Sequence, residues 1–145
     1  MYKHVLLAYD GSPSGQKALL DCQDLAQWSH AELTLVTVLS LHMNDLAVEG
    51  GVYDSRWRDR EEVVMRQVLD DGLRRLQEAG HQAHCALLEG DTVDAITRHA
   101  QEISADLIVV GHKHLDGWAA RWWKGSLYKS LIERSHCSVL IAITD

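Results

Sequence analysis

Three short segments of this chain are apolar at nearly every position. Residues 5–8 read VLLA, residues 33–39 read LTLVTVL and residues 107–110 read LIVV. Apolar runs of this length are typical of strands that are buried on both faces of a sheet. The sequence therefore predicts a parallel sheet that is covered by helices on both sides.

The segments between these strands repeat apolar residues at helical spacing, as Leu69 and Leu76 do. Ser12 and Pro13 form a favourable helix start, because serine caps the first turn and proline lacks an N–H group that would be unbonded there. Asp91 can cap a later helix in the same way. We predict helices over residues 13–28 and 57–79, after Asp91 and over residues 125–134, further strands over residues 83–87 and 138–143, and a loop over residues 40–56.

Strands that alternate with helices predict an α/β fold, a doubly wound open parallel sheet of five strands with helices on both faces. We expect the strand order 3-2-1-4-5 within one domain over residues 1–145. Strand one is central because it is uniformly apolar, whereas strand three alternates apolar and polar residues as an edge strand does. The apolar last strand is then the opposite edge, which invites pairing with another chain.

Sheets of this kind bind ligands at the carboxyl ends of the strands, beside the point where the strand order reverses. Asp10 follows strand one, and residues 111–126 follow strand four. We therefore expect Asp10 and the loop after Gly111 to meet at the ligand site.

Charge and composition exclude several classes of protein. The net charge of −7 argues against a nucleic-acid-binding protein, although residues 111–145 hold five Lys or Arg against three Asp or Glu. No apolar run approaches the roughly 20 residues that span a membrane, and the first residues lead directly into a strand. These features predict a cytoplasmic protein without a membrane segment.

The cysteines are three in number, widely separated and without a CxxC pair. An odd number at this spacing does not suggest a disulfide framework. We expect Cys22, Cys85 and Cys137 to be buried, reduced thiols.

Several segments together resemble the universal stress protein family. They are VLLAYDGS over residues 5–12, LVTV over residues 35–38, EGD over residues 89–91, ADLIVVG over residues 105–111, Gly125 with Ser126, and SVLI over residues 138–141. The likeness covers essentially the whole chain in the same order and spacing. It implies a stress-response regulatory protein that is not an enzyme, or at most a feeble ATPase, and a homodimer formed through Val139 and Ile141 of the last strand.

Nucleotide-binding members of this family carry a glycine, two residues, a second glycine, nine residues, and a glycine followed by serine or threonine. Glycines in such a loop let backbone N–H groups and a helix N-terminus approach the phosphates closely. Gly111 fits the first position here, but His114 stands at the second, and Gly125 with Ser126 comes one residue late. Gly117 lies between them.

The resemblance implies ATP, alone or with Mg²⁺, as the ligand. Asp10 would contact the adenosine, Val38 would meet adenine through its backbone, and the residues from Gly111 onward would line the phosphates. The implied site consists of Ala8, Tyr9, Asp10, Val38, Gly111, His114, Gly117, Gly125, Ser126 and Leu127.

Simpler interpretations of these residues stay open. Asp10 is otherwise a loop carboxylate that accepts backbone N–H groups, and His112 with His114 is more simply a pair of surface histidines than a metal site. Two functional alternatives also remain. One is a family member that has lost the nucleotide and acts only through protein partners, and the other is a nucleotide-using enzyme on the same fold.

Overall fold

The structure, a computed structural model, describes residues 2–39, 55–113 and 126–144. Strands and helices alternate throughout these ranges, as the sequence predicts, and most of the predicted loop over residues 40–56 lies outside them. The elements in chain order are β1 (His4–Ala8), α1 (Pro13–Ser29), β2 (Glu32–Leu39), α2 (Ser55–Glu78), β3 (Ala83–Glu89), α3 (Thr92–Glu102), β4 (Leu107–Lys113), α4 (Ser126–Arg134) and β5 (Ser138–Thr144).

The described strands form one five-stranded sheet in the order β3-β2-β1-β4-β5, which confirms the predicted topology. All four neighbouring pairs are parallel. β1 lies in the centre, where Val5 pairs with Leu33 of β2 and with Leu107 of β4. Since helices connect successive strands, the sheet is covered on both faces.

Alternate residues of the central strands contribute side chains to two separate hydrophobic cores, one on each face of the sheet. Val5 and Leu7 face α1 and α2, whereas Leu6 and Ala8 face α3 and α4. This is the period of two that a strand imposes on its side chains. The first core also holds Tyr9, Ala18, Leu19, Cys22, Leu33, Leu35, Leu69, Leu76, Leu107, Val109 and Ala142, and the second Val36, Val38, Val93, Ala95, Ile96, Ala100, Ala105, Ile108, Val110 and Leu131.

The helices divide the sheet between them. On the first face α1 lies over β4 and β5, and α2 lies over β2 and β3; on the second face α3 lies over β2 and β3 and packs against α4. Among the described residues no helix is both long enough and apolar enough to cross a membrane.

Gly72 brings α2 close to the sheet. A Cβ atom at this position would lie 2.8 Å from Cδ2 of Leu35 and 2.8 Å from Cε1 of Tyr9. Both neighbours are fully buried, so neither has free space into which it can move. A glycine is therefore required for α2 to pack at this distance.

The prediction that all three cysteines are buried is wrong for two of them. Cys22 is buried on the inner face of α1, but Cys85 is exposed and Cys137 is only partly buried. Cys85 lies on β3, which has a neighbouring strand on one side only, so the cover of α2 and α3 is incomplete there. Burial raises the pKa of the Cys22 thiol to about 12, which makes it chemically inert.

Candidate functional site

The central strand is shorter than its two neighbours at the carboxyl edge of the sheet. β1 pairs with β2 as far as Ala8 opposite Val36, and with β4 as far as Leu7 opposite Val109. β2 continues to Leu39 and β4 continues to Lys113. This leaves a crevice above the end of β1, at the point where the order of the strands reverses, which is where such sheets bind ligands.

Asp10 lies at the floor of this crevice, between β1 and α1. Its Oδ1 atom accepts the backbone N–H of Ser12 at 2.9 Å and the Ser12 hydroxyl at 2.5 Å. The Ser12 oxygen in turn accepts the N–H of Gly15 at 3.1 Å, so it caps α1 as the sequence predicts. Asp10 is therefore a loop carboxylate, as the simpler interpretation has it, and it accepts one backbone N–H, that of Ser12, together with the Ser12 hydroxyl.

Gly15 explains how the carboxylate can lie over the first turn of α1. A Cβ atom on Gly15 would lie 2.8 Å from Oδ1 of Asp10 and 3.3 Å from Oγ of Ser12. Glycine inside a helix costs about 1 kcal/mol relative to alanine, so its presence here points to a packing requirement. Gly15 was not among the site residues predicted from the sequence, although a glycine in the first turn of a helix is a usable signal.

Tyr9 lies beneath the crevice and is fixed by hydrogen bonds of its backbone to β2. Its backbone N–H donates to the carbonyl oxygen of Val36 at 2.9 Å, and its own carbonyl accepts the Thr37 hydroxyl at 2.9 Å. The ring belongs to the core beneath α1 and α2, together with Val5 and Leu7. Tyr9 and the buried Ala8 therefore form the floor of the crevice, and the Tyr9 ring lies in the core.

The backbone of Val38 faces the crevice. In a parallel strand the N–H and C=O groups of alternate residues point to the same side. The carbonyl of Val36 points toward β1, because it accepts the N–H of Tyr9. Val38 is two residues further on and points the same way, but there the chain after β1 has already turned away into α1. The Val38 side chain is fully buried in the second core.

The far wall of the crevice is the end of β4 together with the beginning of α4. Tyr128, in the first turn of α4, donates its hydroxyl to the carbonyl oxygen of Gly111 at 3.1 Å. Burial raises the pKa of the Tyr128 hydroxyl, and the negative charge of Asp10 raises it further. Tyr128 thus bonds to Gly111 and lies within range of the charge of Asp10. Tyr128 was not among the site residues predicted from the sequence.

The end of β3 forms a neighbouring part of the same edge. The N–H of Gly90 donates to the carbonyl of Leu39 at 3.1 Å, and the carboxylate of Asp91 accepts the N–H of Asp94 at 3.0 Å. Asp91 is therefore the N-cap of α3, as predicted. Arg58 of α2 forms an ion pair with Glu89 at the end of β3.

The structure brings five of the predicted site residues to one edge of the sheet, namely Ala8, Tyr9, Asp10, Val38 and Gly111. Ser126 and Leu127 are the first two residues of α4, whose sequence has no acidic residue in its first turn. His114, Gly117 and Gly125 lie outside the described residues. Binding by any of these residues stays a prediction.

Possible metal ligands and a second depression were also located. In the ranges that the structure describes, no group of three or more His, Cys, Asp or Glu side chains is arranged to hold a metal ion. A shallow depression of about 470 Å³ lies at the opposite, amino-terminal edge of the sheet, where His30, Glu32 and His81 contribute to its lining. It is remote from the crevice above β1.

Comparisons with known proteins agree on one family. The model of the universal stress protein family matches residues 1–142. A protein of Staphylococcus aureus that is named as a universal stress protein is 27% identical over 99% of this chain and 86% of its own length. A crystal structure of a universal stress protein family member from Burkholderia pseudomallei is 30% identical, with a TM-score of 0.76 over 97% of this chain and 95% of that one. A universal stress protein solved in complex with cAMP is 25% identical, with a TM-score of 0.68 over 99% of this chain and 98% of that one.

Proposed function

Because the chain belongs to the universal stress protein family, we propose that this stress-response protein binds an adenine nucleotide in the crevice above β1. The observation that carries the proposal is the early end of the central strand, which opens a space between β2 and β4 with Asp10 at its floor. The family member solved with cAMP supports the same class of ligand.

The adenosine end of the ligand fits the side of the crevice next to β2. Adenine carries an amino donor beside ring-nitrogen acceptors, which complements a backbone that presents both N–H and C=O groups. Val38 presents these groups where β1 no longer lies opposite. The Asp10 carboxylate can accept a ribose hydroxyl in addition to its bonds from Ser12, since each carboxylate oxygen has two acceptor positions.

The phosphates fit the N-terminus of α4 better than those of α1 or α3. In α1 the N–H of Gly15 already donates to Ser12, and the carboxylate of Asp10 lies over the same turn. In α3 the carboxylate of Asp91 already accepts an N–H of the first turn. A negative side chain at a helix N-terminus repels a phosphate, whereas the first turn of α4 has no acidic residue. Any Mg²⁺ would then accompany the phosphates of ATP.

Isothermal titration of the whole chain with ATP, ADP and AMP tests the proposal. We expect dissociation constants between about 0.01 and 1 mM, weaker than those of a protein with the full glycine motif because His114 replaces its second glycine. A guanine nucleotide serves as the control, since its amino and carbonyl groups do not match those of adenine. If none of the adenine nucleotides binds at millimolar concentration, the protein acts through protein partners alone.

We expect the protein to lack the activity of an ordinary enzyme. Its chemistry in this proposal is recognition, with at most slow hydrolysis of ATP. Hydrolysis at rates above about 1 s⁻¹ would instead support the alternative of a nucleotide-using enzyme on the same fold.

We also propose a homodimer through β5, which forms one edge of the described sheet. Leu140 and Ile143 of this strand are 37% and 51% exposed, whereas Val139 and Ile141 pack partly against the second core. An exposed apolar edge strand favours pairing with a second copy, and a two-fold axis would join the two edges.

Replacing Val139 or Ile141 by lysine is expected to give monomers or aggregates in sedimentation velocity, because the charge would be buried at the paired edges. Ile143→Lys tests the same edge with less disturbance of the core. Val63→Lys is the matched control, since Val63 is 57% exposed on α2. An unchanged dimer in all three β5 variants would place the interface elsewhere.

A further inference from the structure

Tyr128 connects the two elements that form the far wall of the crevice. It is the third residue of α4, and its hydroxyl donates to the carbonyl of Gly111 on β4 at 3.1 Å. The two elements are separated in the sequence by residues 114–125. This bond therefore links the start of α4 directly to the end of the strand.

The surroundings of Tyr128 keep its hydroxyl a hydrogen-bond donor. The ring packs partly against the second core, which includes Ala8, Val110 and Leu131. Burial and the nearby charge of Asp10 both raise the pKa of the hydroxyl above its ordinary value near 10. The proton is therefore retained over the physiological pH range, and the bond to Gly111 does not depend on pH there.

We propose that Tyr128 is a positioning residue that holds the N-terminus of α4 at the distance and angle needed to receive a nucleotide phosphate. This inference rests on the function proposed above. A helix N-terminus binds an anion through N–H groups that must point at a common position, so a small movement of the helix weakens every bond at once. The hydroxyl contributes by fixing the helix before the ligand arrives, which reduces the ordering cost of binding.

A merely structural role and a positioning role predict different patterns of affinity. If Tyr128 only stabilises the fold, its loss should weaken adenosine and adenine nucleotides to the same degree. If Tyr128 positions α4, its removal should lower the affinity mainly for ligands that carry a phosphate, because adenosine lies on the side of the crevice formed by Val38 and Asp10.

Tyr128→Phe removes the hydroxyl and keeps the ring. Calorimetry is expected to show affinities for AMP and ATP about 5–10-fold lower than in the wild type, and an adenosine affinity within about 2-fold of it. The melting temperature should fall by only about 2–6 °C. Tyr2→Phe is the matched control, because Tyr2 packs against the first core, away from α4, and its replacement should leave all three affinities unchanged.

Hydrogen exchange without ligand tests the positioning separately. In Tyr128→Phe the amides of residues 130–134, which are the first in α4 to donate within the helix, should exchange faster, while those of α3 should not change. Equal losses for adenosine and AMP, or unchanged exchange in α4, would overturn the positioning role. If the wild type binds none of the ligands, the proposed function fails and so does the phosphate part of this proposal, while exchange still decides whether the hydroxyl holds the helix.

Discussion

Gly72→Val is expected to lower the free energy of unfolding by about 2–4 kcal/mol, a large share of the roughly 5–15 kcal/mol of a typical domain. The added atoms would meet Leu35 and the ring of Tyr9, with Cβ alone already 2.8 Å from each. Because both neighbours are fully buried, α2 has to move away from the sheet, which opens space along the rest of the interface. Urea unfolding followed by circular dichroism measures the loss.

Gln67→Val is the matched control, since Gln67 is exposed on the same helix and valine there changes only helix propensity. The free energy of unfolding of Gln67→Val should stay within about 0.5 kcal/mol of the wild type. Gly72→Ala should fall between the two, because one methyl group collides but alanine also gains about 1 kcal/mol of propensity. A Gly72→Val protein as stable as Gln67→Val would show that α2 does not need this close approach. If the valine variant does not fold, the alanine variant still measures the effect.

The topology was predictable from the sequence because the pattern of β1 and β4 indicates burial on both faces and that of β3 indicates an edge, whereas the apolar β5 takes the remaining edge. The run over residues 107–110 has no polar side and lies inside the sheet, whereas β3 alternates and lies at an edge. Parallel strands that are joined by helices then leave few possible orders. The exposure of Cys85 was not predictable in the same way, since it depends on how far α2 and α3 extend over β3.

Only those site residues that follow a strand could be predicted from the sequence. Asp10 and Gly111 follow apolar runs, so they had to meet at the carboxyl edge of the sheet. The partner of Gly111 is Tyr128, and nothing in the local pattern of α4 shows that its hydroxyl reaches the strand. The Tyr9 ring lies in the first core because side chains along a strand point to alternate faces, and Tyr9 is on the same face as Val5 and Leu7. This spacing of two residues is visible in the sequence.

The two glycines inside helices are the clearest unused signals in the sequence. Each costs about 1 kcal/mol of helix propensity relative to alanine, and each is explained by a close approach of a side chain. Gly72 makes room for Tyr9, and Gly15 makes room for the carboxylate of Asp10. Gly72 is therefore required for the packing of the fold, and Gly15 for the position of a predicted site residue. The role of Gly15 can be tested by measuring ligand binding.

Asp10→Ala is expected to weaken the binding of adenine nucleotides by about 10–100-fold, because it removes a charged acceptor at the floor of the crevice. Gly15→Ala should weaken binding by about 10-fold although Asp10 itself is unchanged. Its Cβ would lie 2.8 Å from Oδ1 of Asp10, so the carboxylate has to turn away from Ser12. Calorimetry with AMP measures both affinities, and thermal unfolding shows whether each variant is folded.

Asp24→Ala is the matched control, because Asp24 is exposed on the same helix and its loss changes the net charge equally. It should leave the affinity for AMP within about 2-fold of the wild type, since an exposed charge far from the ligand is screened by salt. If Gly15→Ala binds AMP as the wild type does while Asp10→Ala does not, the position of the carboxylate is unimportant and only its charge matters. If all three bind equally, Asp10 has no part in the site. A loss in both Asp10→Ala and Gly15→Ala, with Asp24→Ala unchanged, would establish that α1 contains a glycine at this position so that Asp10 can face the ligand.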